Sequence, residues 1–228
     1  MANKKRKLTP QQRQKLLEEL LRKEQAAQRR KKGTIIASIC ICLAVVIILA
    51  VALWPRNEGA DPSVQYIATI DIKDYGTIKV ELDPKNAPIT VANFVKLAEG
   101  GFYNGLTFHR IIEGFMMQGG APASEADAAD TIVGEFTANG YDNQLKHTRG
   151  VISMARTQVY NSASSQFFIV HEDSSHLDGQ YAAFGKVIEG IEVVDAVCES
   201  AKPTDSNGSI AKADQPVINT ITIEKKES

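Results

Sequence analysis

Gly33–Trp54 (GTIIASICICLAVVIILAVALW) is a run of 22 residues without a single charge. As a helix rising about 1.5 Å per residue it is long enough to cross a hydrocarbon core of roughly 30 Å. A helix buried in a soluble core would keep a polar stripe on one side, and this run has none. The run divides the chain into a basic leader (1–32), a transmembrane signal anchor (33–54), a short polar linker (55–64) and an outer domain (65–226). The last falls in the usual domain range of about 100–200 residues.

Charge sets the expected orientation. The leader holds 12 Lys and Arg against 3 Glu, whereas the residues beyond it hold 14 basic against 24 acidic side chains. Basic residues gather on the cytoplasmic side of a span, so the N-terminus is predicted inside and the acidic domain outside. Trp54 would sit at the outer interface. Ala50-Val51-Ala52 fits a small-x-small cleavage pattern, which leaves a cleaved signal peptide open as the rival. The leader reads as a helix, with Thr9 as N-cap, Pro10 at the first helical position and a stripe of Leu16, Leu17, Leu20 and Leu21. It could lie on an anionic inner leaflet, or be a solvated segment that only sets topology.

Of three cysteines, Cys40 and Cys42 fall in the span, so Cys198 is the only thiol of the outer domain and no disulfide forms within it. His109, His147, His171 and His176 lack metal-ligand spacing, and no cofactor loop is present. An acidic domain without a basic aromatic stripe argues against nucleic-acid binding.

Residues 65–226 read as short strands between turns. Tyr66–Ile72 and Thr77–Leu82 form a hairpin signal, followed by a helix over Ile89–Glu99 with apolar residues at 91, 94, 95 and 98. Strands are predicted at Thr107–Ile112, Phe115–Gln118, Gly150–Ala155, Gln166–Val170, Ala183–Ile188 and Val217–Ile223, with a second helix at Ile191–Cys198. Many short strands with two isolated helices predict a mainly β fold, a closed antiparallel barrel with its binding site on the outer wall.

Three strings narrow this further. They are Phe108-His-Arg-Ile-Ile-Glu-Gly-Phe-Met-Met-Gln-Gly-Gly120, then Gly150-Val-Ile-Ser-Met-Ala-Arg156 with Ser164-Ser-Gln-Phe-Phe-Ile169, and Leu177-Asp-Gly-Gln-Tyr-Ala-Ala-Phe-Gly-Lys-Val187. In order and spacing they resemble the cyclophilin family of peptidyl-prolyl cis-trans isomerases; the resemblance does not reach residues 1–64. It implies a closed eight-stranded β-barrel capped by two helices, and isomerisation of X-Pro bonds without metal or cofactor.

The same resemblance implies the site. Arg110 would donate to the prolyl nitrogen of the twisted amide, and Phe115, Met116, Phe168 and Leu177 would hold the proline ring. Gln118 and Gln166 would orient the arginine and the substrate backbone. Ala155 and Arg156 would pair with the substrate main chain, and Tyr181 would stand at the pocket wall. Three departures stand out. Arg156 replaces the usual Asn and brings positive charge beside the pocket, and His176 replaces a Trp, which predicts weak cyclosporin binding. An acidic stretch, Ala121–Asp130, replaces a glycine-rich loop and shifts the expected preference toward basic peptides.

The expected clients are proline-containing unfolded or secreted polypeptides at the outer face of a bacterial plasma membrane. Two alternatives remain: a tethered, non-catalytic proline-peptide-binding module or chaperone, and a tether whose leader recruits a cytoplasmic partner.

Overall fold

The computed structural model describes residues 22–23 and 59–227. The chain divides into two units, Met1–Arg56 and Asn57–Ser228. In the first, Arg22 and Lys23 are helical, inside the leader where a helix is predicted. Among the described residues no helix is long and apolar enough to cross a membrane. The span predicted at 33–54, the proposed cleavage point after Ala52 and most of the leader lie outside them.

The second unit follows the predicted order of elements. A hairpin of β1 (Val64–Ile72) and β2 (Gly76–Leu82) leads to helix α1 (Pro88–Glu99), then β3 (Phe108–Ile112) and β4 (Met116–Gly119). After a long connection come β5 (Val151–Met154), β6 (Phe167–Val170), β7 (Ala183–Glu189), helix α2 (Ile191–Ser200) and β8 (Ile218–Glu227). Within the stretch read as linker, Ala60 N–H donates to Pro88 O at 2.8 Å, and Val64 opens β1.

Alternation decides what each strand buries. Ala68, Ile70 and Ile72 of β1 and Ile78 and Val80 of β2 are essentially inaccessible and point into one core. α1 adds Val91, Phe94, Val95 and Ala98 to it. Phe94 is the hub, with ring centroids 5.3 Å from Tyr103, 5.5 Å from Phe167 and 5.2 Å from Phe184. The start of α1 has no side-chain cap from Ala87. Glu135, fully buried and 45 residues downstream, takes that role. Its carboxylate accepts from Ile89 N–H at 3.0 Å, and from Thr90 N–H and Thr90 Oγ–H at 2.7 Å each.

One expectation needs correction. The strands form an eight-stranded antiparallel sheet ordered β3-β4-β6-β5-β7-β2-β1-β8, but β3 and β8 share no ladder, so the barrel is open. The physical reason is competition for the free edge of β3. The chain before β8 occupies it first: Ile111 N–H donates to Gly208 O at 2.8 Å and Ile210 N–H to His109 O at 2.9 Å. β8 meets the segment before β3 through the isolated bridge Thr107↔Val217, flanked by Ile218 N–H to Leu106 O at 2.8 Å. Both edges are thus covered without closure, which still protects them from pairing with another chain.

Candidate active site

Cross-strand register assembles the site. Arg110 on β3 lies opposite Gln118 on β4, Gln118 opposite Phe168 on β6, and Phe168 opposite Ser153 on β5. Residues directly opposite one another share a face. Four positions scattered between 110 and 168 therefore become one row across four strands. Their neighbours Met117, Phe167 and Ile152 face the main core. Met116 and Phe168 instead join Val151, Val170, Leu177 and Ala183 in a second, smaller apolar cluster on the outer side.

A cavity of about 140 Å³ opens over that cluster, lined by Arg110, Phe115, Met116, Gln118, Ala155, Arg156, Phe168, Leu177 and Tyr181. Nine of the eleven predicted site residues thus meet in one place. The other two touch residues of its lining. Gln166 Oε1 accepts from Gln118 Nε2–H at 3.0 Å. The exposed His176 ring packs on Phe115 with centroids 5.4 Å apart. Ligand sites for drug-sized molecules run to about 300–1,000 Å³, so this notch suits a small ring.

Larger depressions lie elsewhere, two of about 530 Å³ and one of about 300 Å³ beside Tyr66, Val95 and Lys225. One of the first two, between Pro62–Gln65 and Glu81–Lys85, has a mixed polar and apolar lining. The second of these is polar, with Arg149 Nη2 2.7 Å and His171 Nε2 3.2 Å from Asp195 and three more carboxylates, Glu113, Glu172 and Glu199, in its lining. Size therefore does not locate the chemistry; an apolar floor beside a charged donor does.

Arg110 does not pair with Glu113, the neighbour that would make it a plain surface ion pair. Its Nε–H donates to Asn207 O at 2.7 Å and an Nη1–H to Gln118 Oε1 at 3.3 Å. Among the described residues Nη2 has no protein partner, so its protons are available to the cavity. Arg110, Gln118 and Gln166 thus form one hydrogen-bonded chain, a geometry in which the two glutamines can orient the arginine.

Arg156, in the lining of the notch, does more than add charge there. Its guanidinium carbon sits 4.6 Å from the Tyr181 ring centroid, 5.0 Å from Phe136 and 5.1 Å from Tyr160. Nε–H and an Nη2–H donate to Gln180 O at 3.0 and 2.8 Å, and an Nη1–H donates to Thr157 O at 2.8 Å. The side chain is a clamp joining the 156–160 and 178–181 segments, two walls of the notch. Ala155 N–H is already engaged, donating to Gln166 O at 2.9 Å.

Behind the pocket floor lies an array that sequence reading missed. The His147 ring stacks on Phe168 with centroids 6.0 Å apart and an interplanar angle of 15°. His147 Nδ1 is 3.1 Å from Asp178 Oδ1 and Nε2 is 3.0 Å from Ser153 Oγ. A carboxylate only accepts, so Nδ1 carries the proton and the neutral ring's Nε2 accepts from the Ser153 hydroxyl. Burial holds the His147 pKa below its usual value, against the opposing pull of Asp178. Burial also pushes the Asp178 carboxyl up, but hydrogen bonds from the His147 backbone and ring outweigh it and leave that pKa low.

The connectivity is that of a hydrolytic triad, yet Ser153 is fully buried and no substrate carbonyl can reach it. The array supports Phe168 instead. Cys198, buried on α2, is no nucleophile either, since burial pushes its thiol pKa up to about 12. Among the described residues no group of His, Cys, Asp and Glu could hold a metal ion. The His147 contacts join positions far apart in sequence, so neither spacing nor alternation signals them. Asn207 is equally hidden, because it contributes a main-chain carbonyl.

Known proteins agree with this geometry. A match to the family described as cyclophilin type peptidyl-prolyl cis-trans isomerase/CLD spans residues 67–227. Peptidyl-prolyl cis-trans isomerase A of Dickeya dadantii is 42% identical over 161 residues, covering 68% of this chain and 82% of its own. Peptidyl-prolyl cis-trans isomerase B of Bacillus subtilis is 46% identical over 121 residues, covering 53% and 82%. Among solved structures, a cyclophilin type isomerase of Cryptosporidium parvum, crystallised in the presence of the dipeptide Ala-Pro, superposes with a TM-score of 0.60 at 30% identity. It covers 70% of this chain and 99% of its own. With an apolar notch, a directed guanidinium and these relatives together, the chain belongs to the cyclophilin-type peptidyl-prolyl cis-trans isomerases.

Proposed function

We propose that Arg110 is the catalytic group of this isomerase, that the notch takes the proline ring, and that the clients are exported proteins outside a bacterial plasma membrane. Rotation about an X-Pro bond faces a barrier of about 18–20 kcal/mol because amide resonance is lost midway. At half rotation the prolyl nitrogen becomes pyramidal and basic. A donor that meets it there, and not in either planar form, lowers the barrier in both directions.

The observation that carries this reading is the guanidinium's hydrogen bonding. Nε and Nη1 are fixed by Asn207 O and Gln118 Oε1, which leaves Nη2 without a partner among the described residues, and Arg110 lines the cavity together with Met116 and Phe168. Arginine keeps its charge at every relevant pH, so the donor is always present. Phe115, Met116, Phe168 and Leu177 supply an apolar seat for a ring with no polar edge. Ala-Pro in the Cryptosporidium parvum crystals is consistent with such a seat in that relative. Weak cyclosporin binding belongs to the same reading, because His176 offers less aromatic area than Trp.

The location rests on the uncharged run and on charge asymmetry across it. Protease added outside intact bacterial cells stripped of their wall should then digest the isomerase domain and spare the leader. Digestion only after lysis would refute the topology.

Catalysis is tested with the full-length chain in detergent, using a protease-free assay on an Ala-Pro tetrapeptide. Removing a preorganised donor typically costs about 10²–10³ in rate, so Arg110→Ala should lose at least about a hundredfold. Turnover that survives Arg110→Ala ends the assignment. A wild-type chain that binds the peptide without turning it over would be a tethered receptor.

A further inference from the structure

Arg110 and the residue that holds its Nε are 97 positions apart in sequence. Asn207 belongs to the segment between α2 and β8, which folds into a tight loop of its own. The bridge Pro203↔Ile210 and Thr204 N–H to Ser209 O at 2.8 Å close its base. At its centre the Asp205 carboxylate accepts from Asn207 N–H at 2.9 Å and Ser209 N–H at 3.0 Å. Gly208 N–H donates to Asp205 O at 3.2 Å.

The loop docks on the open edge of β3, on both sides of Arg110. Gly208 O accepts from Ile111 N–H and Ile210 N–H donates to His109 O, at 2.8 and 2.9 Å. Gly208 has φ +85°, and a Cβ there would stand 2.4 Å from Ile112 Cγ1 and 2.7 Å from Ile111 O. The approach is therefore backbone to backbone, and only glycine permits it.

We propose that Asp205 is a positioning residue for Arg110: its carboxylate fixes the 204–209 loop so that Asn207 O holds the guanidinium with its Nη2 protons turned into the cavity. This rests on the reading of Arg110 as the catalytic donor. An arginine side chain is long and freely rotating, and a donor misplaced by about 1 Å can lose up to about a hundredfold in rate. Anchoring Nε at 2.7 Å removes most of that freedom. Asp205 itself is solvent-exposed, so its contribution to global stability is small. The Ser209 N–H, with further N–H donors, holds its carboxyl below the usual carboxylate range, so the anchor is charged throughout the neutral range.

The test uses the full-length chain in detergent with the Ala-Pro tetrapeptide, as wild type, D205A and D205N. Three quantities are read: the cis–trans interconversion rate on the enzyme by NMR exchange, the peptide Kd, and the Arg110 Nε–H resonance. D205A should slow interconversion about three- to tenfold, the worth of one lost orienting hydrogen bond, and leave Kd within about a factor of two. Its Nε–H resonance should move and exchange faster with water. D205N keeps an oxygen acceptor for the same N–H groups, and should recover more than half of the rate and the wild-type resonance.

An unmoved Nε–H resonance in D205A, a D205A rate equal to wild type, or a D205N as impaired as D205A each overturns the proposal. Arg110→Ala run alongside separates the two claims. If it is inactive while D205A is fully active, positioning by Asp205 fails and the catalytic reading stands. If it is active, the catalytic reading fails and takes the positioning proposal with it.

Discussion

Replacing Arg156 by Ala tests whether the notch owes its walls to one caged cation. The guanidinium touches three rings at 4.6–5.1 Å and makes three hydrogen bonds to main-chain carbonyls, two of them on Gln180 O. An exposed cation–π contact is worth about 0.5–1 kcal/mol, and three sharing one cation do not add, so about 1 kcal/mol is a fair total. The fork on Gln180 O contributes about another 1 kcal/mol. Arg156→Ala should therefore destabilise the domain by about 2 kcal/mol, lowering Tm by about 4–8 °C for a domain of this size.

Function should suffer by a different route. Without the clamp the 156–160 and 178–181 segments separate, and Tyr181 no longer stands fixed at the wall. Losing about 1 kcal/mol of that preorganisation raises KM for the Ala-Pro tetrapeptide about fivefold, with kcat little changed. Arg156→Lys keeps the charge but not the planar fork, and should fall between the two. Thermal unfolding and steady-state isomerisation decide the matter. If Arg156→Ala stays within about 1 °C of wild type and keeps its KM, the cage is idle and the reasoning is wrong.

Two further outcomes follow from buried groups. Glu135→Gln exchanges an acceptor-only carboxylate for an amide that turns one N–H₂ toward the Ile89 and Thr90 donors; the loss of a charge-assisted cap, about 2–3 kcal/mol, should lower Tm by about 5–10 °C, and an unchanged Tm would show that α1 needs no such cap. For pH, the His147 and His109 pKa values are both held low, chiefly by burial. Above about pH 6.5 the histidines are neutral in folded and unfolded chains alike; as pH falls below that, the unfolded chain takes up protons the fold resists. Stability present above about 6.5 should thus be lost on acidification, by up to about 1.4 kcal/mol per pH unit for His147 and by less for His109, whose partial exposure screens the effect. A Tm that stays level from about pH 7 to 5, or a His147→Gln/His109→Gln protein with the wild-type slope, would refute it.

Much of this molecule was legible before any coordinates. Alternation in β1 and β2 and the 91, 94, 95, 98 spacing in α1 are local signals, because a strand or helix buries a face at its own period. The resemblance of three strings, with His176 just before the third, picked out eleven residues that the fold brings together: nine line one cavity, Gln166 bonds to Gln118 and His176 packs on Phe115.

What escaped the sequence depends on partners distant along the chain. The row Arg110–Gln118–Phe168–Ser153 exists only through strand pairing. The clamp role of Arg156 was hidden because nothing in its sequence neighbourhood announces that Phe136, Tyr160 and Tyr181 converge on it. The barrel stands open because residues 208–210 reach the β3 edge before β8 can, a contest between two backbones that no side-chain pattern records. The same docking puts the Asn207 carbonyl on Arg110. Local periodicity and side-chain identity told which elements form and which residues are chemically suited. Which backbone carbonyl meets which guanidinium was decided by three-dimensional packing, since every residue carries the same carbonyl and only the fold distinguishes one from another.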